Sequence, residues 1–127
     1  MKFFLVEDSE SIRALIRSLI EDYHFTVVGE AAKEIEAIQG VIETQPDVMI
    51  VDLNLEAGSG VEVIRQIKKH NPALMIIVFT NQKRSEYEKV CLEAGTDYFL
   101  EKKSQDFKYL ESLLDLMSRS SNKTTKN

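Results

Sequence analysis

A single cysteine, Cys91, excludes any internal disulfide and any cysteine-rich zinc site. Set between Val90 and Leu92 in an expected helix, it reads as a small core residue, with a reactive thiol as the sharper alternative. Histidine is almost as scarce. His24 and His70 stand far apart, in no metal-ligand spacing, and read as surface residues. No apolar run approaches the roughly 20 residues that a membrane span needs. The opening Met-Lys-Phe-Phe-Leu-Val runs straight into Glu7 and Asp8, which is no signal peptide, so a cytoplasmic protein is expected. Basic charge is in deficit too: 16 Lys and Arg against 21 Asp and Glu give a formal charge of −5. Nucleic-acid phosphates are bound by clustered Lys and Arg, so direct DNA binding is not expected. Internal repeats and linkers are also missing.

What is present is an ordinary globular composition, 43% hydrophobic and 29% charged over 127 residues. That length suits one compact domain with a core of its own. Short apolar runs alternate with amphipathic stretches five times. Runs 3–6, 25–28, 48–51, 74–79 and 98–100 read as strands. The third and fourth are continuously apolar, as strands covered on both faces must be. Between them lie helical patterns: Ile12, Leu15, Ile16, Leu19 and Ile20; then Ile35, Ile38, Val41 and Ile42, stopping before Pro46; then Val61, Ile64 and Ile67, closing at Asn71-Pro72. Ser85 and Glu88 have capping-box spacing for a fourth helix that stops at Gly95. The fifth, starting near Ser104, carries Phe107, Leu110, Leu113, Leu114 and Met117. A folded domain over residues 1–119 and a polar, disordered tail over 120–127 are expected.

Five β–α units imply an α/β fold: a doubly wound, five-stranded parallel sheet of order 2-1-3-4-5, flanked by five helices. Ligands of such sheets bind at the carboxyl ends of the strands. There the sequence delivers Glu7 and Asp8 from strand one, Asp52 from strand three, Thr80 from strand four and Lys102 after strand five. Three carboxylates in one place repel unless a cation sits among them, and Mg²⁺, which takes a few carboxylates and keeps its waters, fits. A lysine with a threonine hydroxyl suits a phosphoryl group. The plainer reading is that such acids solubilise loops or cap helices, Asp8 above all, since a helix follows it.

Taken together, these residues resemble the receiver family of two-component signalling, over residues 2–118. The resemblance implies a phospho-acceptor at Asp52, and a metal site from Glu7, Asp8, Asp52 and the backbone carbonyl of Asn54, for Mg²⁺ or Mn²⁺. It implies a switch hydroxyl at Thr80, a phosphate-binding Lys102 and an aromatic switch at Phe99. The side chains of Asn54 and Gln82 stand where they would tune hydrolysis of the acyl phosphate. The implied partners are a histidine kinase or histidine phosphotransfer protein docking near Ile12, and a target protein at the face of helix four, strand five and helix five. That face would include Lys83, Arg84, Tyr87, Lys103 and Tyr109. The expected role is that of a signalling domain rather than a turnover enzyme, acting alone because no output domain follows in the sequence.

Three positions depart from the family pattern: Glu56 stands where proline is frequent, Asn81 where a small residue follows the switch threonine, and Lys103 where proline commonly follows the lysine. Glu56 would alter loop stiffness, and Asn81 would restrict access to Asp52. Asn81 keeps open a degenerate receiver that binds its partner independently of phosphorylation. A carboxylate phosphatase or nuclease would want a second acid where Asn54 stands, and a flavin module would want a phosphate loop where Glu7 and Asp8 stand.

Overall fold

The computed structural model describes residues 1–103 and 106–125. Its elements alternate strictly: β1 (Lys2–Val6), α1 (Glu10–Asp22), β2 (Thr26–Ala31), α2 (Glu34–Thr44), β3 (Val48–Val51), α3 (Gly60–His70), β4 (Met75–Thr80), α4 (Arg84–Ala94), β5 (Tyr98–Glu101) and α5 (Asp106–Thr125). The sheet order is β2-β1-β3-β4-β5, every neighbouring pair parallel. This is the doubly wound arrangement that the sequence pattern implies.

Period-two alternation divides each inner strand between two cores. Phe3, Leu5, Val48, Ile50, Ile77 and Phe79 face α1 and α5, meeting Ile16, Ile20, Leu110, Leu114 and Met117. Phe4, Val6, Met49, Val51, Ile76 and Val78 face the opposite layer, meeting Ala37 and Val41 of α2, Ile64 and Ile67 of α3 and Cys91 of α4. Cys91 is fully buried, and burial pushes its thiol up to about 11, which removes the reactive-thiol reading at neutral pH. Among the described residues no helix is long and apolar enough to cross a membrane.

Three local expectations need correction. In α2 the buried face is Ala37 and Val41, while Ile35 and Ile42 are 68% and 44% exposed; the small Ala37 is the residue that meets the sheet-side core. In α4 the helix starts at Arg84, with Lys83 as an N-cap whose side chain makes no capping bond. The Ser85 box does not form, because Glu101 of the neighbouring strand supplies the acceptor: its Oε1 takes the Arg84 N–H at 2.7 Å. Glu88 pairs instead with Arg84, Nη1 to Oε2 at 2.8 Å. β2 continues through Glu30 to Ala31, because Arg13 and Arg17 on α1 hold the Glu30 carboxylate at 3.0 and 2.5 Å. The last helix, α5, has no glycine or proline between Asp106 and Thr125 to interrupt it. An Asp115–Arg119 pair at 2.7 Å spans one of its later turns. Its expected start near Ser104 lies outside the described residues.

One buried polar group is a cost to the fold. Thr96 is 6% exposed, and among the described residues its Oγ1 has no hydrogen-bond partner. Thr96→Val keeps the shape and removes the unsatisfied hydroxyl, so we expect stability to rise by about 1 kcal/mol. Thermal unfolding checks this; a lowered midpoint would mean that the hydroxyl is satisfied in solution.

Candidate functional site

The carboxyl ends of β1 and β3 are adjacent in the sheet, with Val6 level with Val51. The residues that follow them are therefore brought together. Glu7 is 2% and Asp52 5% exposed, whereas Asp8 is exposed. One carboxylate oxygen from each of Glu7, Asp8 and Asp52 lies within 4.8 Å of the others. The local chain settles what Asp8 does. The N-cap of α1 is Ser9, whose Oγ accepts from Ile12 N at 3.3 Å, so Asp8 is not spent on capping. Glu7 is anchored separately, its Oε2 accepting from Ser9 N at 3.0 Å.

From the other side β4 and β5 deliver their two groups. Thr80, wholly buried, donates from Oγ1 to Asp52 Oδ1 at 2.7 Å. Lys102 Nζ donates to Asp52 Oδ2 at 2.7 Å and also to Glu7 Oε1. Asn54 N adds a longer bond to Asp52 Oδ1 at 3.2 Å. Both oxygens of Asp52 are thus held. Burial pushes the Glu7 carboxyl up, against the opposing pull of the Lys102 ammonium. Burial alone would lower Lys102, but its bonds to Asp52 and Glu7 outweigh this and hold it above its ordinary value.

Three carboxylates against one ammonium leave a formal charge of −2 at the mouth of the cleft. An all-oxygen donor set with that residual charge fits a hard divalent cation. The cleft encloses ≈ 450 Å³ and is floored by Asp52 and Lys102, with Asp8, Ile12, Asn54 and Asn81 on its walls. Ile12 therefore stands on the wall of the site as well as on α1. Gln82 acts here through its backbone, its N–H donating to Thr80 Oγ1 at 3.3 Å.

A family profile for the response regulator receiver domain matches residues 3–114. The chain belongs to that family. Chemotaxis protein CheY of Halobacterium salinarum is 29% identical over 114 residues, covering 90% of this chain and 94% of that one. Transcriptional regulatory protein YxdJ of Bacillus subtilis is 35% identical over 103 residues, covering 80% of this chain and 43% of that one. A solved two-component response regulator of the LuxR family from Aurantimonas sp. SI85-9A1 is 32% identical, with a TM-score of 0.79 over 90% of this chain and 84% of that one. The receiver thus spans less than half the length of some relatives and nearly all of others.

The remaining candidates of this receiver lie around α4, β5 and α5. Phe99 is buried in the core beneath α4. The Arg84 guanidinium lies over its ring, 5.6 Å from the centroid, and donates from Nη2 to Phe99 O at 2.7 Å. Lys83 and Arg84 are exposed and Tyr87 is half-buried against the core. Lys103 is exposed and meets Glu101 at 2.9 Å, and together with the Arg84 N–H it holds the Glu101 carboxyl below its usual range. Tyr109 is exposed on α5. Sequence reasoning did not single out three further residues. Leu92 and Leu116 are exposed apolar residues on α4 and α5, which helical periodicity alone does not single out from their buried neighbours. It also missed Arg13, whose Nη1 donates to the Glu7 main-chain oxygen at 2.7 Å; nothing in the spacing marks that contact.

Proposed function

We propose that this receiver accepts a phosphoryl group on Asp52 from a phosphohistidine, in a reaction that depends on Mg²⁺ or Mn²⁺, and signals by altering its α4–β5–α5 face. The observation that carries the proposal is the convergence of Thr80 Oγ1 and Lys102 Nζ on the two oxygens of one buried carboxylate, beside two further acids. That set of donors matches the needs of a phosphoryl group, which spreads its charge over three oxygens.

In the step proposed, an Asp52 oxygen attacks phosphorus, the P–N bond to the donor imidazole breaks, and the ring leaves with the electron pair and takes up a proton. Lys102 and Thr80 then turn their donors from the carboxylate to the phosphoryl oxygens. Glu7, Asp8, Asp52 and the Asn54 carbonyl would hold the metal, whose chemistry is to neutralise charge on the transferring group. Water later attacks phosphorus, the P–O bond to Asp52 breaks, and inorganic phosphate leaves with Asp52 restored as a carboxylate; Asn54 on the wall of the cleft and Gln82 next to Thr80 would modulate that rate. The donor is a histidine kinase or phosphotransfer protein docking beside Ile12. The target is a protein that reads Lys83, Arg84, Tyr87, Lys103 and Tyr109, and the acidic charge of the chain argues against direct DNA contact by this domain.

A small phosphoryl donor such as acetyl phosphate, supplied with Mg²⁺ and followed by intact mass, tests this. Wild type should gain one phosphoryl group and Asp52→Asn none. Labelling of the variant to the wild-type level would sink the proposal. One arrangement favours a second reading, a phosphorylation-independent binding module: Thr80 donates to Asp52 and Phe99 is buried. Under that reading a beryllofluoride mimic leaves the amide spectra of α4 and β5 unchanged.

A further inference from the structure

The loop from Asp52 to Gly60 carries the acceptor at one end and Asn54 two residues on, yet it does not hold its shape alone. Its far side is strapped to the start of α2. Glu34 N donates to Ala57 O at 2.9 Å, and Glu56 N donates to Ala32 O at 3.0 Å. The second bond uses an N–H that a proline at position 56 would lack. The Glu34 side chain then reaches across, its Oε1 accepting from Ser59 N at 2.8 Å. Gly58 makes room for it: with φ +89, a Cβ there would stand 2.4 Å from Glu34 Cβ and 2.5 Å from Oε1. The exposed Lys33–Glu56 pair at 3.8 Å adds little, because solvent screens it. The Glu34 bond is different, being part-buried and charge-assisted.

What Glu34 grips is connected to the site. Ser59 stands opposite Asn54 in a short antiparallel bridge whose bond runs from Gly60 N to Leu53 O at 3.0 Å, and Asn54 N donates to Asp52 Oδ1 at 3.2 Å. Glu34 itself does not line the cleft that holds the acids. We infer that Glu34 is a positioning residue: by accepting the Ser59 N–H it fixes the Asn54 main chain, and so the geometry of the cation site and of one hydrogen bond to the acceptor. This rests on the proposed function, since it assigns the Asn54 carbonyl to the metal.

Removing an outer partner of a metal ligand costs roughly 10–100-fold in metal affinity. Glu34→Ala should therefore bind Mg²⁺ about tenfold more weakly, read by amide NMR titration of the full chain with Mg²⁺ alone. Glu34→Gln keeps a carbonyl acceptor and should restore wild-type affinity. A role in stability only would lower the unfolding midpoint of Glu34→Ala and leave its Mg²⁺ affinity unchanged, and that result overturns the inference. Equal weakening in both variants overturns it as well, because charge and not acceptance would then be at work. Should Glu34→Ala fold poorly, hydrogen exchange in wild type decides: the Ser59 amide should be protected, and free exchange there refutes the strap. If wild type itself shows no Mg²⁺ response, the proposed function fails; if wild type responds and Glu34→Ala matches it, only the strap fails.

Discussion

Replacing Lys102 with methionine is expected to cost about 3 kcal/mol of folding stability in metal-free solution, and adding Mg²⁺ is expected to return much of it. The Lys102 side chain is 8% exposed and is shared between Glu7 and Asp52, whose side chains are 3% and 5% exposed. Methionine conserves most of the length and apolar stem of the side chain, so the substitution removes the ammonium with little loss of packing. It leaves two buried carboxylates facing each other with Asp8 close by, and like charges at such separations cannot be screened as they would be in bulk water. A divalent cation among the three acids would supply the missing positive charge. Urea unfolding with chelator and with saturating Mg²⁺ checks both halves. An unchanged midpoint without metal would mean that the ammonium does not neutralise the cluster. A loss that Mg²⁺ fails to reverse would mean that the acids do not hold the ion.

The same group shows how much of the site the sequence carried. Glu7 and Lys102 are 95 residues apart, and nothing local connects them. They became legible together only because alternating β–α units dictate a parallel sheet, and a parallel sheet sends every strand's carboxyl end to one edge. Asp52, Thr80 and Lys102 followed from that rule, and the structure joins all three directly. Strands covered on both faces were also easy to read, since Val48–Val51 and Ile76–Phe79 must be apolar throughout.

What escaped the sequence depends on contacts between distant segments. Glu30 looks like a loop residue until Arg13 and Arg17 are seen to hold it within β2. The start of α4 is set by Glu101 from the neighbouring strand, a partner that a local capping rule cannot anticipate. In α2 the isoleucines outrank Ala37 in hydrophobicity, but it is Ala37 that packs fully into the core. The tie between Glu34 and Ser59 has no local signature, because a glutamate at a helix start reads as an ordinary favourable charge near the helix dipole.

A single methyl group at position 60 should harm both the fold and the chemistry. Gly60 is the first residue of α3, where propensity by itself would favour alanine by roughly 1 kcal/mol. Packing decides against it. A Cβ at Gly60 would lie 2.2 Å from the Asp52 carbonyl oxygen and 2.7 Å from Leu53 Cα. Both neighbours are backbone, so no side chain can swing away, and Gly60 N is itself bound to Leu53 O at 3.0 Å. Relief must come from moving the chain at the acceptor residue. Overpacking of this kind costs about 1–3 kcal/mol, which exceeds the propensity gain, so Gly60→Ala should be net destabilised. The displacement also reaches Asp52, whose oxygens must meet Thr80 and Lys102 together. A shift of about 1 Å in a reacting group can cost on the order of 10²-fold in rate, so phosphoryl uptake from acetyl phosphate should slow by about that factor while the folded fraction stays high. Following both quantities on one sample separates the effects. Wild-type uptake in a destabilised Gly60→Ala would mean that the loop absorbs the methyl group before the strain reaches Asp52, and that the close contact serves the fold and not the acceptor.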